Sequence, residues 1–282
     1  MNPGLERAEH NRYLWVLSSL LGFAFLFAFL PTWRSLIYAW SSSDDYSHGF
    51  LIVPLSLYIV WKKRGELRTA TNRPNWLIFP LVVFSLLIYL VAKYAEILTL
   101  APLSMILFIG ASLFFLFGGK LFRHLVFPWF LLVFMVPVPS QIYAALTIPL
   151  QLFVTEVTAF LASLFGIPIL REGNVLYLPE HTLQVVQACS GLRSIMSLLT
   201  LGAVIGYFGL QKNFLRGVLF ISAIPVAILV NIVRVLLMVF AFYYFSFDLA
   251  EGIVHTIFGA AIFGLAMVLF LLARKVLALC EE

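Results

Sequence analysis

"GVLFISAIPVAILVNIVRVLLMVFAFYYF" (217–245) carries one charge, Arg234, in a run longer than the ~20 apolar residues needed to cross a bilayer. A soluble domain could bury one such segment, but this chain repeats the pattern. Of its 282 residues 62% are hydrophobic and 11% charged, and the mean hydropathy is +1.03. A globular surface of that composition would not be solvated, so the sequence reads as an all-α polytopic integral membrane protein. The expected spans are about 14–33, 48–61, 76–92, 98–117, 121–136, 192–210, 217–245 and 252–273, about eight in all. There is no low-complexity tract, soluble domain or internal repeat, so residues 1–282 form one multi-pass membrane domain. The first run, "YLWVLSSLLGFAFLFAFL" (13–30), is long enough to remain as a span and has no small-residue cleavage site after it.

The net charge of +5 is not a nucleic-acid signal, because the basic residues occur as short clusters between apolar runs. Arg7 and Arg12, then "KKRGELRTATNR" (62–73), then Lys120 and Arg123, then Lys212 and Arg216, then Arg274 and Lys275 mark the turns. Placing all five clusters in the cytoplasm gives one consistent topology, provided that an odd number of crossings lies between Arg123 and Gly166. The segment 121–136 is taken as that crossing. The segment 141–165 then carries Thr147, Gln151, Thr155 and Thr158 at helical spacing, a polar stripe suited to a helix at the outer surface or facing a cavity. An extra span there, with another segment re-entrant, is the alternative.

Residues 137–191 thus form an extracytoplasmic helix and hairpin segment. Within it, two β-rich runs flank "LPEH" (178–181), which suggests a small hairpin. This segment leads to "VVQACSGLRSI" (185–195), which holds one of only two cysteines. The other, Cys280, falls on the opposite side of the membrane, so no disulfide is expected.

Counting helical rise from the cytoplasmic charges gives each polar residue a depth. Arg234 lies 18 residues beyond Arg216, roughly 27 Å; His255 lies 19 before Arg274, roughly 28 Å. Cys189 lies 23 before Lys212, roughly 35 Å. Three reactive side chains from three helices therefore reach the outer boundary together. An arginine inside a span is costly and marks a protein interior or wet cavity, and Asn231 sits one turn earlier on the same face. The bland readings are a small buried cysteine, a histidine bonded to a helix-start carbonyl and a snorkelling arginine. A second polar cluster, "DDYSHG" (44–49), puts His48 14 residues before Lys62, at roughly 21 Å. His10, His124 and His181 read as loop residues. No HExxH, CxxC or Gly-rich phosphate loop occurs, so no metal or nucleotide cofactor is expected. The aromatic "FAFYYFSF" (240–247) reads as an interfacial belt.

Together these residues suit acyl transfer. A nearby cation favours the thiolate of Cys189, which would attack a peptide carbonyl to form a thioester. His255 would act as base and then acid, and Arg234 would donate to the oxyanion. Water or an amine would release the product. The competing reading is a transporter or lipid-handling protein in which Arg234 binds an anionic headgroup and Cys189 is incidental.

The segments "YSHGFLIVPLSLYIVW" (46–61), "VPVPSQIYAALTIPLQ" (136–151), "GIPILREGNVLYLP" (166–179), "VVQACSGLRS" (185–194), "NIVRV" (231–235) and "EGIVHTIFGAAIF" (251–263) resemble, in order, the exosortase/archaeosortase family of membrane sorting enzymes, bacterial exosortases in particular. The resemblance implies a Cys189–Arg234–His255 site, with Arg193, Ser190, Asn231 and His48 in recognised motifs of less defined role. The implied substrates are secreted proteins with a C-terminal, PEP-CTERM-like signal: a short motif, a membrane helix and a basic tail. Cleavage would occur near the outer face of the inner membrane, with transfer to an unidentified acceptor nucleophile, in systems tied to exopolysaccharide export. Membrane lipids, and no nucleic acid, would surround the site.

Overall fold

The computed structural model describes residues 19–69, 74–185, 191–247, 249 and 252–281, without the side chains of Arg68, Thr69 and His255. Contacts divide the chain into two compact units, Met1–Pro137 and Val138–Glu282.

The first unit begins with α1 (Ser19–Ala28) and α2 (Leu30–Ser42), which meet at a 65° bend. Pro31 sits in the first turn of α2, where its missing N–H costs nothing. Phe29 fills the corner at 1% exposure, packed on Tyr89 and Phe108. The sequence expected one straight span ending near residue 33; the helix instead restarts at the proline and runs to Ser42.

Next come α3 (Gly49–Lys62), the short α4 (Arg64–Thr69), α5 (Phe79–Tyr94) and α6 (Leu100–Leu131). In α6, Gly118 adopts φ 73° and ψ 171°, a conformation open to glycine. There the helix folds back on itself. Phe114 stacks on Phe122 at 5.1 Å, and Trp129 Nε1 donates to the Ile106 carbonyl at 2.7 Å. In a straight helix those last two residues would stand roughly 34 Å apart. Gly110 leaves the space that the Trp129 ring occupies.

The returning arm of α6 lies antiparallel to α3. Pro128 has no N–H for the His124 carbonyl, and Lys63 Nζ donates to that oxygen at 3.3 Å. Ser56 Oγ donates to the Pro128 carbonyl at 2.8 Å. At the far end Trp40 Nε1 donates to the Met135 carbonyl at 2.8 Å, and His48 Nε2 lies 3.1 Å from the Phe134 carbonyl. His124, expected as an ordinary loop residue, is in helix and pairs with Glu66 at 2.9 Å.

The second unit contains α7 (Ser140–Leu164), a three-stranded antiparallel sheet, and α8 (Leu192–Gly209), α9 (Asn213–Phe245) and α10 (Gly252–Leu279). The sheet is β1 (Leu170–Glu172), β2 (Val175–Tyr177) and β3 (Thr182–Gln184), so the expected hairpin around "LPEH" is extended by one further strand. Gly173 opens the β1–β2 turn at φ 62°, as a two-residue turn with glycine first requires.

The polar stripe of α7 is turned inward: Thr147, Gln151, Thr155 and Thr158 are buried, whereas Ile142, Ile148, Phe153 and Phe160 are exposed. An apolar outer side suits lipid rather than water, while the polar stripe faces the protein interior. Its 25 residues are long and apolar enough to span.

Among the described residues six helices are long and apolar enough to cross a membrane, or up to seven with α1–α2 counted as one bent span. The protein is thus an all-α polytopic membrane protein with a small sheet, and the count falls slightly below the expected eight. The 14 residues of α3 rise only about 21 Å, short of the ~30 Å hydrocarbon core, and the count takes the two arms of α6 as one helix while adding α7.

Candidate active site

Two apolar clusters fill the second unit. One joins Val154 and Ala162 of α7, Leu176, Leu183 and Val185 of the sheet region, and Ile232, Val235 and Val239 of α9. The other joins Leu192 and Leu198 of α8, Leu219 and Val230 of α9, and Ile262, Ala266 and Phe270 of α10. Ile228 and Phe258 pack against both. On α9 the change of cluster occurs between Val230 and Ile232, which is where Asn231 sits, buried to 3% exposure.

Two glycines let other elements close on this seam. Gly191 caps the start of α8 with φ 85°, and a Cβ there would stand 3.1 Å from the Asn231 amide carbon and nitrogen. The Gly191 backbone therefore rests directly on Asn231. Three residues further along α9, the Arg234 guanidinium lies over Gly259 of α10, with Nη2 3.6 Å from the position a Cβ would take. The Arg234 Nε is fully enclosed. The residue as a whole is half-buried, and a guanidinium this far inside an apolar helix faces protein or a wet cavity rather than lipid.

The structure thus brings together the start of α8, Asn231 and Arg234 of α9, and α10 at Gly259. Cys189 precedes Gly191 by two positions and His255 precedes Gly259 by four. Cys189 and Ser190 lie outside the described residues. The backbone of His255 belongs to the first turns of α10, while its side chain lies outside what is described. Arg193 is half-buried in the first turn of α8. His48 belongs to the first unit, where it faces the Phe134 carbonyl at the end of the returning arm of α6. Gly191 and Gly259 were not singled out from the sequence. A glycine beside a motif residue was the available signal, but the neighbour it admits comes from a distant helix.

The opposite end of α8–α10 gathers charge. The Glu281 carboxylate accepts from the Gln211 and Lys212 amides at 2.8 and 2.7 Å. Arg274 Nη2 donates to the Gly209 carbonyl at 2.9 Å, and Arg216 Nε to the Leu210 carbonyl at 2.9 Å. Cys280 is exposed at this end.

A family model described as transmembrane exosortase matches residues 40–272. No curated protein and no solved structure matches significantly. The matched stretch runs from the end of α2 through most of α10 and includes every residue of the seam. The chain is a multi-pass membrane protein of the transmembrane exosortase family, a family of membrane-embedded sorting enzymes.

Proposed function

We propose that this protein is a cysteine-type endopeptidase or transpeptidase acting on secreted proteins that carry a C-terminal, PEP-CTERM-like sorting signal. The Cys189 thiol gives its proton to His255, and the thiolate attacks the peptide carbonyl, forming the C–S bond. Arg234 stabilises the oxyanion of the tetrahedral intermediate. Collapse breaks the C–N bond, and His255 returns the proton to the leaving amine. Water or an acceptor amine then attacks the thioester and regenerates the thiol.

The observation that carries this reading is the seam itself. A guanidinium packed on Gly259 and a helix start packed on Asn231 put the sequence neighbours of His255 and Cys189 on two α9 residues about one turn apart. A cation in that position lowers the pKa of a nearby thiol and, in low dielectric, binds a developing oxyanion strongly. The basic ends of α8–α10 support an extracytoplasmic site in the inner membrane. Lys212, Arg216 and Arg274 lie at the end of these helices away from the seam and favour the cytoplasmic side. A signal helix with a basic tail, inserted the same way, would present its motif at the outer boundary.

The test is processing of a reporter domain fused to a short motif, an apolar helix and a basic tail, in membranes containing equal amounts of each enzyme variant. Wild type cuts the reporter, and Cys189→Ala, Arg234→Ala and His255→Ala do not. Normal cutting by Cys189→Ala would remove the thiol mechanism.

A further inference from the structure

Thr147, Gln151, Thr155 and Thr158 turn inward from α7, each no more than 7% exposed, and the four are not bonded alike. Thr155 Oγ1 lies within reach of three carbonyls, at 2.9 Å from those of Gln151 and Leu152 and at 3.1 Å from that of Gly173. The Thr147 and Thr158 hydroxyls are fully enclosed and have no partner among the described residues. Gln151 differs from all three. Among the described residues its side-chain amide makes no hydrogen bond, yet it is not enclosed as those two hydroxyls are. The small exposure that Gln151 keeps therefore reaches its polar end.

The two apolar clusters fix its place along α7. Tyr143 and Leu150 pack against the cluster of Leu192 and Val230, whereas Val154 and Ala162 belong to that of Ile232 and Val239. α7 thus passes from one cluster to the other between Leu150 and Val154, as α9 does between Val230 and Ile232. Gln151 stands at that change on α7 as Asn231 does on α9. Arg234 follows Asn231 by three residues, roughly 4.5 Å of helical rise.

A carboxamide in this place does nothing for the fold. Unpaired in an apolar wall it weakens the packing, which an apolar side chain of the same length would not. What it offers is chemistry: N–H donors and a carbonyl acceptor on one planar group, the complement of a peptide group. Around a bond held for cleavage in such a seam, the substrate backbone is outside its own helix. Its C=O and N–H groups then need partners from the enzyme.

We infer that Gln151 is a substrate-binding residue of the seam, its carboxamide pairing with a peptide group of the sorting signal beside the bond to be cut. The inference rests on the function proposed above. The pairing is made before and during the reaction alike, so its loss acts on KM rather than on kcat.

The experiment uses full-length enzyme in lipid nanodiscs and the sorting-signal reporter, with Gln151→Met as the variant that keeps the length and removes the polar atoms. Processing gives kcat and KM, binding of the reporter in the Cys189→Ala background gives Kd, and thermal unfolding is followed for each protein. Gln151→Met raises KM and Kd roughly 5- to 100-fold, with kcat within about threefold and a melting temperature equal to or above the parent's. Thr147→Val removes an enclosed hydroxyl one turn away and leaves KM unchanged. The inference is overturned if Gln151→Met keeps the parental KM and Kd. It is equally overturned if the variant melts lower with KM unaltered, since the amide is then a structural group. Failure of the proposed function has another signature: the parent neither binds nor cuts the reporter, and both readings fall. If Cys189→Ala still cuts, only the thiol mechanism is lost, and the KM of Gln151→Met decides the inference.

Discussion

The two ends of the α8–α10 bundle treat charge in opposite ways. At one end the side chains of Arg216, Lys212, Arg274 and Glu281 each bond to backbone groups at helix termini, with water in reach. These bonds satisfy carbonyls and amides that a helix end always leaves over. At the other end Arg234 sits a full turn and more inside its helix, between two apolar clusters, with Gly259 cleared for its guanidinium. The first arrangement is what a membrane bundle needs to end neatly. The second serves no helix terminus. The comparison shows one residue type closing helix termini at one end and enclosed between apolar clusters at the other.

That contrast can be broken from either side. The largest effect is expected from Arg234→Ala, which should lower the processing rate by ~100- to 1,000-fold while the protein accumulates normally, as measured by reporter cleavage per enzyme in membranes. Arg274→Ala at the other end should leave cleavage unaffected and only loosen the α8–α10 contact. Next, Phe270→Ala removes a ring with no solvent exposure, seated against Gly202, and should destabilise by ~3–5 kcal/mol in a detergent-denaturation measurement. Gly191→Ala forces a side chain into a left-handed backbone and against Asn231. It should cost ~1–3 kcal/mol and reduce cleavage more than stability alone explains. The smallest effect belongs to Glu281→Gln. It weakens exposed bonds to the Gln211 and Lys212 amides and should change stability by less than about 1 kcal/mol, with processing unaltered.

Much of this was legible from the chain alone. Arg234 and Asn231 stood out because a polar pair inside an apolar run has few purposes, and helical rise put them level with the neighbourhoods of Cys189 and His255. The division between 98–117 and 121–136 was also readable, since Lys120 and Arg123 interrupt a long apolar run, and the structure folds α6 back at Gly118 beside them. The bend at Pro31 was missed because hydropathy is continuous across it. The inward turn of the α7 stripe could be seen as polarity but not as direction: a stripe of threonines looks alike whether it faces water or protein. The contacts through Gly191 and Gly259 join separate helices, and nothing in the local pattern names the partner.

The most direct test of the central claim is isolation of the acyl-enzyme. Wild-type membranes are incubated with the sorting-signal reporter, quenched in acid, and the enzyme is digested and mapped by mass spectrometry. The account predicts a hydroxylamine-labile adduct on the peptide containing Cys189, absent from Cys189→Ala. An adduct on another residue, or reporter cleavage that continues in Cys189→Ala, would contradict it.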